Sequence, residues 1–561
     1  MDRFWPISLI FTAALAVTVS PSAAQAEKRH RVPPDIEAQL RALSEKVEQL
    51  EKQLAAQAAH QQAQPQPQQI VAPLPTQPAS ALDLRLPSDA APAPRLCTQH
   101  ADDASPTTGS HCGTKPAVDS VAKARYFGLK SEDGNFAIRL GGLVQADGRY
   151  FNSGIKGQPP FLGNSPTQQQ TADTATNEAN STFLMRRVRP MIMGTVYNQY
   201  NFGITADFGG GNTSNGRLLD AFIEDNIDPA FRPRIGKFSP PNGLENMQNH
   251  SSNNRFTETS FPTAFLPARD IGLLASGTVF SKTLDYSVGI LNGGMDSAND
   301  ASDNNNAKEP QVWLFAKPFI NHKHALKGLG FGAFVSRTNT GGSSAYPTAA
   351  SGQSAGSPEL PTYNTIGQER FFSYRNDTNT NNTVFADGER TRLMPQLYYS
   401  LNNVGLMSEY MAETQELTRV NGTARNTGKL THTAWHLTAA WAITGEAESM
   451  GNIEPRQNFD ATQGGLGAWE LVARVGGIDF DKDSFTVDGA LNSPNSFAQA
   501  TRSIRSGKNW GMGVNWYLNP TLRLTLDYDQ TTFDWGGGGT ESAPKNREAE
   551  RLVSGRAQVF F

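Results

Sequence analysis

From Thr521 the chain reads TLRLTLDYD, with Leu522, Leu524, Leu526 and Tyr528 on one side and Thr521, Arg523, Thr525, Asp527 and Asp529 on the other. Successive side chains of a strand point to opposite faces, so this is a strand with one apolar and one charged face. The same period recurs along most of the chain. NFAIRLGGLVQADGRYF sets Phe136, Ile138, Leu140, Val144, Ala146 and Tyr150 against Arg139, Gln145, Asp147 and Arg149, with Leu143 out of pattern. YNFGITADF, TAWHLTAAWAITG and GAWELVARV repeat the alternation, the last setting Trp469, Leu471, Ala473 and Val475 against Glu470 and Arg474. The closing RLVSGRAQVFF puts Val553, Gly555, Ala557, Val559 and Phe561 on one face and Ser554, Arg556 and Gln558 on the other.

A water-soluble sandwich alternates too. Three features oppose it: the segments run to about ten residues or more, aromatics such as Tyr150, Trp435, Trp469, Trp510, Trp516 and Tyr528 sit near their ends, and tight turns (YLNP, SLNN) take turns with long polar loops such as 338–390. The reading is all-β, a sixteen-stranded antiparallel transmembrane barrel. Expected spans are 135–151, 182–197, 200–209, 217–227, 230–238, 270–281, 283–293, 309–319, 327–337, 390–401, 403–416, 430–445, 466–480, 507–518, 521–533 and 550–561. An even count puts both barrel ends on the periplasmic side, and sixteen strands leave an aqueous lumen. The connection TGEAESMGNIEPRQNFDATQGG is long for a periplasmic turn, and nothing local explains it.

Four regions are expected. Residues 1–26 read as a secretory signal peptide, with Arg3 before the apolar run Ile7–Val19 and a small-x-small AQA at 24–26. Residues 27–57 carry a heptad seam, Ile36, Leu40, Leu43, Val47, Leu50 and Leu54. That is either an amphipathic helix packed on a neighbour or, as preferred, a periplasmic coiled coil held by an already oligomeric protein. Residues 58–120 are a Pro-, Gln- and Ala-rich linker. It holds Cys97 and Cys112, a plausible disulfide; with His100 and His111 they fit no trusted zinc spacing. Residues 121–561 are the barrel domain.

Composition narrows the function. A net charge of −4 gives no basic stripe for nucleic acid. There is no HExxH, GxSxG or Walker loop. FGGGNTSNG follows a strand without a helix pattern after it. DFDKD (Asp479, Asp481, Asp483) lacks the glycine and closing glutamate of a calcium loop, and NHKH (His322, His324) falls in a turn. No enzyme, cofactor or metal is expected.

FLMRRVRP in the second strand, GKFSPPNGLE after the fifth, LPARDIGL, AITGE, GAWELVARV and GVNWYLNP occur in one order across 135–561. Through them the chain resembles the phosphate-selective porin O and P family. The resemblance implies a homotrimeric porin in the outer membrane of a Gram-negative bacterium, in contact with lipid and lipopolysaccharide. Its C-terminal Phe561 would be read by the barrel-assembly machinery, and its third external loop, here 239–269, would fold into the channel. Arg186 and Arg187 match the family's paired arginines. The constriction loop, however, has no lysine, Lys237 precedes it, and Arg255 is its only cation before Arg269. Alternation adds Arg139, Arg149, Arg189, Arg474 and Arg523 as pore-lining candidates, with Arg186 facing outward unless a bulge near Pro190 turns it in. Asp147, Glu470 and Asp527 share those faces and would offset part of the positive field. The function expected is passive diffusion of small, anionic (phosphate- or polyphosphate-like) solutes. The alternatives are a general non-selective porin, a barrel enzyme or a structural tether.

Overall fold

The chain divides into two compact units, Met1–Gly109 and Ser110–Phe561. The computed structural model describes residues 127–152, 181–210, 216–248, 253–267, 269–293, 306–341, 359–377, 382–540 and 542–561, all in the second unit. The signal peptide, the coiled-coil segment and the linker with Cys97 and Cys112 lie outside the described residues.

Sixteen strands form the wall: β1 (Phe136–Phe151), β2 (Thr182–Val196), β3 (Tyr200–Asp207), β4 (Arg217–Asp225), β5 (Arg232–Phe238), β6 (Asp270–Val279), β7 (Leu284–Leu291), β8 (Glu309–Ala316), β9 (Gly328–Gly341), β10 (Asn382–Leu401), β11 (Val404–Asn421), β12 (Ala424–Ala442), β13 (Ala468–Asp479), β14 (Ile504–Tyr517), β15 (Leu522–Thr540) and β16 (Glu550–Phe560). Each pairs antiparallel with the next, and Leu552–Phe560 of β16 pair with Leu143–Phe151 of β1 to close the ring. Closure removes the free edges that an open sheet would leave.

Alternation sorts the faces. On the outside, Leu524, Leu526, Val559 and Phe561 are exposed, as are Trp435, Trp441 and Trp510. Trp469 stacks on Trp516 with ring centroids 4.9 Å apart. Inside, Ser554, Arg556 and Gln558 are buried. At the seam, Gly142 and Phe561 exchange backbone hydrogen bonds of 2.7 and 3.0 Å. A short strand that the pattern did not reveal, Phe127–Lys130, pairs with Ala137–Leu140 and occupies the edge of β1 beyond Phe561.

Several strands outrun their expected bounds. Residues 417–429, expected as an external loop, are ladder: β11 and β12 pair in register from Val404↔Trp441 to Asn421↔Ala424. Gly422, at φ 62°, closes that hairpin. Gly422 stands first of the two loop residues, Gly422-Thr423, where glycine favours such a turn, so the signal was present in a polar stretch.

The apolar core lies inside the barrel. Leu244, Phe261 and Phe265 of the 239–269 connection meet Tyr363, Phe371 and Phe372 of the 342–381 connection and Phe480, Phe485 and Phe497 of the 480–503 connection. Phe372 and Phe480 stack with centroids 3.9 Å apart and rings 5° from parallel. Three connections are thereby packed together within the lumen.

Candidate channel constriction

The inward loop is stitched to the wall by its backbone. The N–H groups of Leu244 and Glu245, opening a single helical turn (Leu244–Gln248), donate to the Glu409 carboxylate on β11 at 2.6 and 3.2 Å. Farther on, the N–H of Thr257 donates to Asp527 on β15 at 2.7 Å. On either side of Thr257 the loop presents Arg255 and Glu258, both buried.

Glu258 meets a cluster of arginines from β1, β2 and β16. Ladder register shifts between Gln145 and Ala146, which pair with Arg187 and Met185, so Arg186 is the extra residue of a bulge. Both neighbouring arginines therefore turn inward, and the bulge lies at Arg186 itself. Arg186 donates to Glu258 through Nε at 2.6 Å and Nη2 at 3.1 Å, and Arg149 Nη2 donates at 2.6 Å. Gly209 lies against the bulge: a Cβ there would stand 2.6 Å from the Arg187 Cα. Arg187 Nη1 donates to Gln145 at 2.7 Å, Arg189 to Asp207 at 2.8 Å, and Arg556 grips Asp147 with two bonds of 2.7 Å. Burial pushes the Glu258 carboxyl up, but Arg186, then Arg149 and Arg187, outweigh it and hold it well below the usual carboxylate range.

On the other side Arg255 donates to Glu470 at 3.0 Å, to Glu448, and to the Ser449 carbonyl at 2.7 Å. Glu448 and Ser449 belong to the long 443–467 connection, whose Met450 carbonyl also accepts from Gln248 at 2.7 Å. Through Glu448, Ser449 and Met450 that connection reaches the inward loop. Arg474 donates to Asp529 and to the Glu258 carbonyl, both at 2.8 Å, and lies over the Phe256 ring.

The remaining sequence candidates are more scattered. Arg523 reaches Gln558 at 3.3 Å, Arg269 approaches Asp220 at 3.5 Å, Lys237 is buried at the end of β5, and Arg139 is half-buried near the first end of β1. Arg390 and Arg392 stand on β10. They pair with Glu309 at 2.8 and 2.7 Å, and Arg392 also with Glu413 at 2.8 Å. Alternation through Met394 and Gln396 carries their inward facing. In DFDKD, Asp481 instead caps a 3-10 turn by accepting from Asp483 N–H at 3.0 Å.

A cavity of about 430 Å³ separates the two arginine groups. Its lining includes Arg186, Arg187, Arg390, Arg392, Glu258 and Glu413 with Phe261, Phe265 and Gln368. Among the described residues, buried carboxylates outnumber buried cations. The interior is thus a lattice of ion pairs with both charges at the surface of one cavity, suited to passing polar solutes.

The model of the family described as phosphate-selective porin O and P matches residues 165–561. No curated protein sequence matches the chain. Among solved structures, the outer membrane channel DcaP of Acinetobacter baumannii is similar at 11% identity and a TM-score of 0.43, over 77% of this chain and 99% of that one. OmpF of Salmonella typhi is similar at 10% identity and 0.42, over 77% and 100%. OmpT of Vibrio cholerae is similar at 9% identity and 0.42, over 77% and 99%. These are distant likenesses.

Proposed function

The chain belongs to the phosphate-selective porin O and P family and is an outer-membrane porin of a Gram-negative bacterium; from that premise we propose that it passes small hydrophilic solutes by passive diffusion with a weak preference for anions. The arginines of β1, β2 and β16 lower the energy of an entering anion, as cations at a pore wall do. The observation that carries the weakness is Glu258. One loop carboxylate engages both Arg149 and Arg186, and Asp147 engages Arg556, so the positive wall is largely offset where it is densest.

Tight phosphate binding needs several donors free to converge on one anion. Here the guanidinium groups of Arg149, Arg186, Arg392 and Arg556 already hold carboxylates at 2.6–2.8 Å. The same pairing also fits a second reading, a porin with no net selectivity. Barrel, inward loop and ion-pair lattice all suit a channel rather than an enzyme. The assembly is proposed as a homotrimer, in keeping with the family, with the N-terminal segment periplasmic. Reversal potential in asymmetric salt separates the two readings: a small anion-selective value supports the first, zero the second.

A further inference from the structure

We propose that Glu245, Glu409 and His436 form a binding site for one divalent transition-metal ion that pins the inward loop to the barrel wall. Their ligand atoms all lie within 4.8 Å of one another, and all three residues are buried. Glu245 comes from the loop, Glu409 from β11 and His436 from β12, so no segment supplies the site alone.

Charge argues for a cation there. Two buried carboxylates lie side by side, and Arg474 is 3.8 Å from Glu245 but only 2.8 Å from Asp529. Burying like charges together is costly unless something positive compensates. The surrounding bonds also orient the ligands. Glu409 is held by the Leu244 and Glu245 N–H groups, and Glu245 by the Ser260 N–H at 2.9 Å and by the Ser260 hydroxyl. His436 Nδ1 lies 3.1 Å from the Thr438 hydroxyl, and Nε2 lies 3.1 Å from Glu409. With Nδ1–H donating to Thr438, the Nε2 lone pair is left for a metal, the usual way an outer partner sets a ligating histidine. The ion takes the place of the proton now shared between Nε2 and Glu409. An imidazole with two carboxylates suits zinc, iron or nickel better than magnesium or calcium.

The test uses the full chain, purified without a histidine tag and stripped with EDTA. His322→Ala, His324→Ala, Cys97→Ser and Cys112→Ser remove other zinc-binding groups, the exposed pair His322 and His324 having ring centroids 5.4 Å apart. Equilibrium dialysis against Zn2+ should leave about one ion per chain, and zinc should raise the thermal midpoint. Adding His436→Gln, or separately Glu245→Gln on the loop, should abolish both effects, while Thr438→Val should weaken binding roughly 10–100-fold. Heat-modified gel mobility identifies the folded variants. No zinc on the background chain, or binding unchanged by both ligand substitutions, overturns the proposal.

Discussion

Arg186 Nε stands 2.6 Å from Glu258 Oε1, and Nη2 3.1 Å from Oε2, so the extra residue of a wall bulge is clasped by the tip of the inward loop. The side-chain accessibility is 22% for the arginine and 3% for the glutamate. That difference gives the contact two roles: it holds the loop, and it cancels a charge that solutes would otherwise meet.

Glu258→Gln should therefore loosen the loop and sharpen selectivity together. Breaking a buried pair by removing one partner costs about 3 kcal/mol or more. The exposure of Arg186 lowers that figure here. In a KCl gradient the reversal potential should move toward the chloride equilibrium value. A shift toward potassium, or none, would contradict the assignment.

The same carboxyl sets a pH window. Its folded value is depressed, so its stabilisation is fully present above the ordinary glutamate value near ~4.3 and is lost as pH falls through the folded value. Loop order should be flat from pH 8 to 5 and decline only in stronger acid. Conductance noise recorded across that range checks it; loop opening near pH 6 would point to another group.

Gly209→Ala should disturb the bulge without touching a charge. The new Cβ would meet the backbone of Arg187 and Val188 at 2.6–2.8 Å, where only strand displacement gives relief. A loss of about 1–3 kcal/mol is expected, with Arg186 moved away from Glu258. A thermal midpoint equal to wild type would show that the close approach is unimportant.

Much of this architecture was legible from alternation, because lipid and water sort the two faces of every strand. The sixteen strands and the inner-face position of Arg187, Arg189, Arg474 and Arg523 followed from period two, and the inward loop from family resemblance. What alternation could not show was pairing across the lumen. Glu258 lies in SSNNRFTETS, a polar stretch with no period, and Glu448 in a connection that looked only too long. Their partners are set by how loops fold back inside the barrel. A bulge that would turn Arg186 inward was anticipated beside Pro190, but its place at Arg186 was not, since Gly209 and the β1 register specify it. The β10–β12 extensions were missed because, beyond the lipid-facing band, the outer face is polar and the alternation fades, although Val384, Ala386 and Leu417 pack in the luminal core.

Glu448→Gln should free one of the three anchors of Arg255, with Glu470 and the Ser449 carbonyl keeping theirs. If the 443–467 connection restrains the inward loop through this contact, single-channel conductance should rise while ion preference changes little. Unchanged conductance and open-channel noise would mean that the contact with Ser449 and Gln248 suffices.

At the seam, removal of Phe561 takes away two backbone bonds to Gly142 and the ring that covers it, where a Cβ would approach within 2.6 Å. Deletion should lower the outer-membrane level of the protein and increase periplasmic degradation. Equal amounts in fractionated membranes would contradict a role for this residue in assembly.

Carboxylates that offset the arginine wall should leave the pore only weakly charged. The reversal potential of the wild-type channel in a tenfold KCl gradient measures that balance directly. A small value on the anion-selective side is expected, with millimolar rather than micromolar phosphate needed to reduce chloride current. Clear cation selectivity, or block by micromolar phosphate, would contradict it.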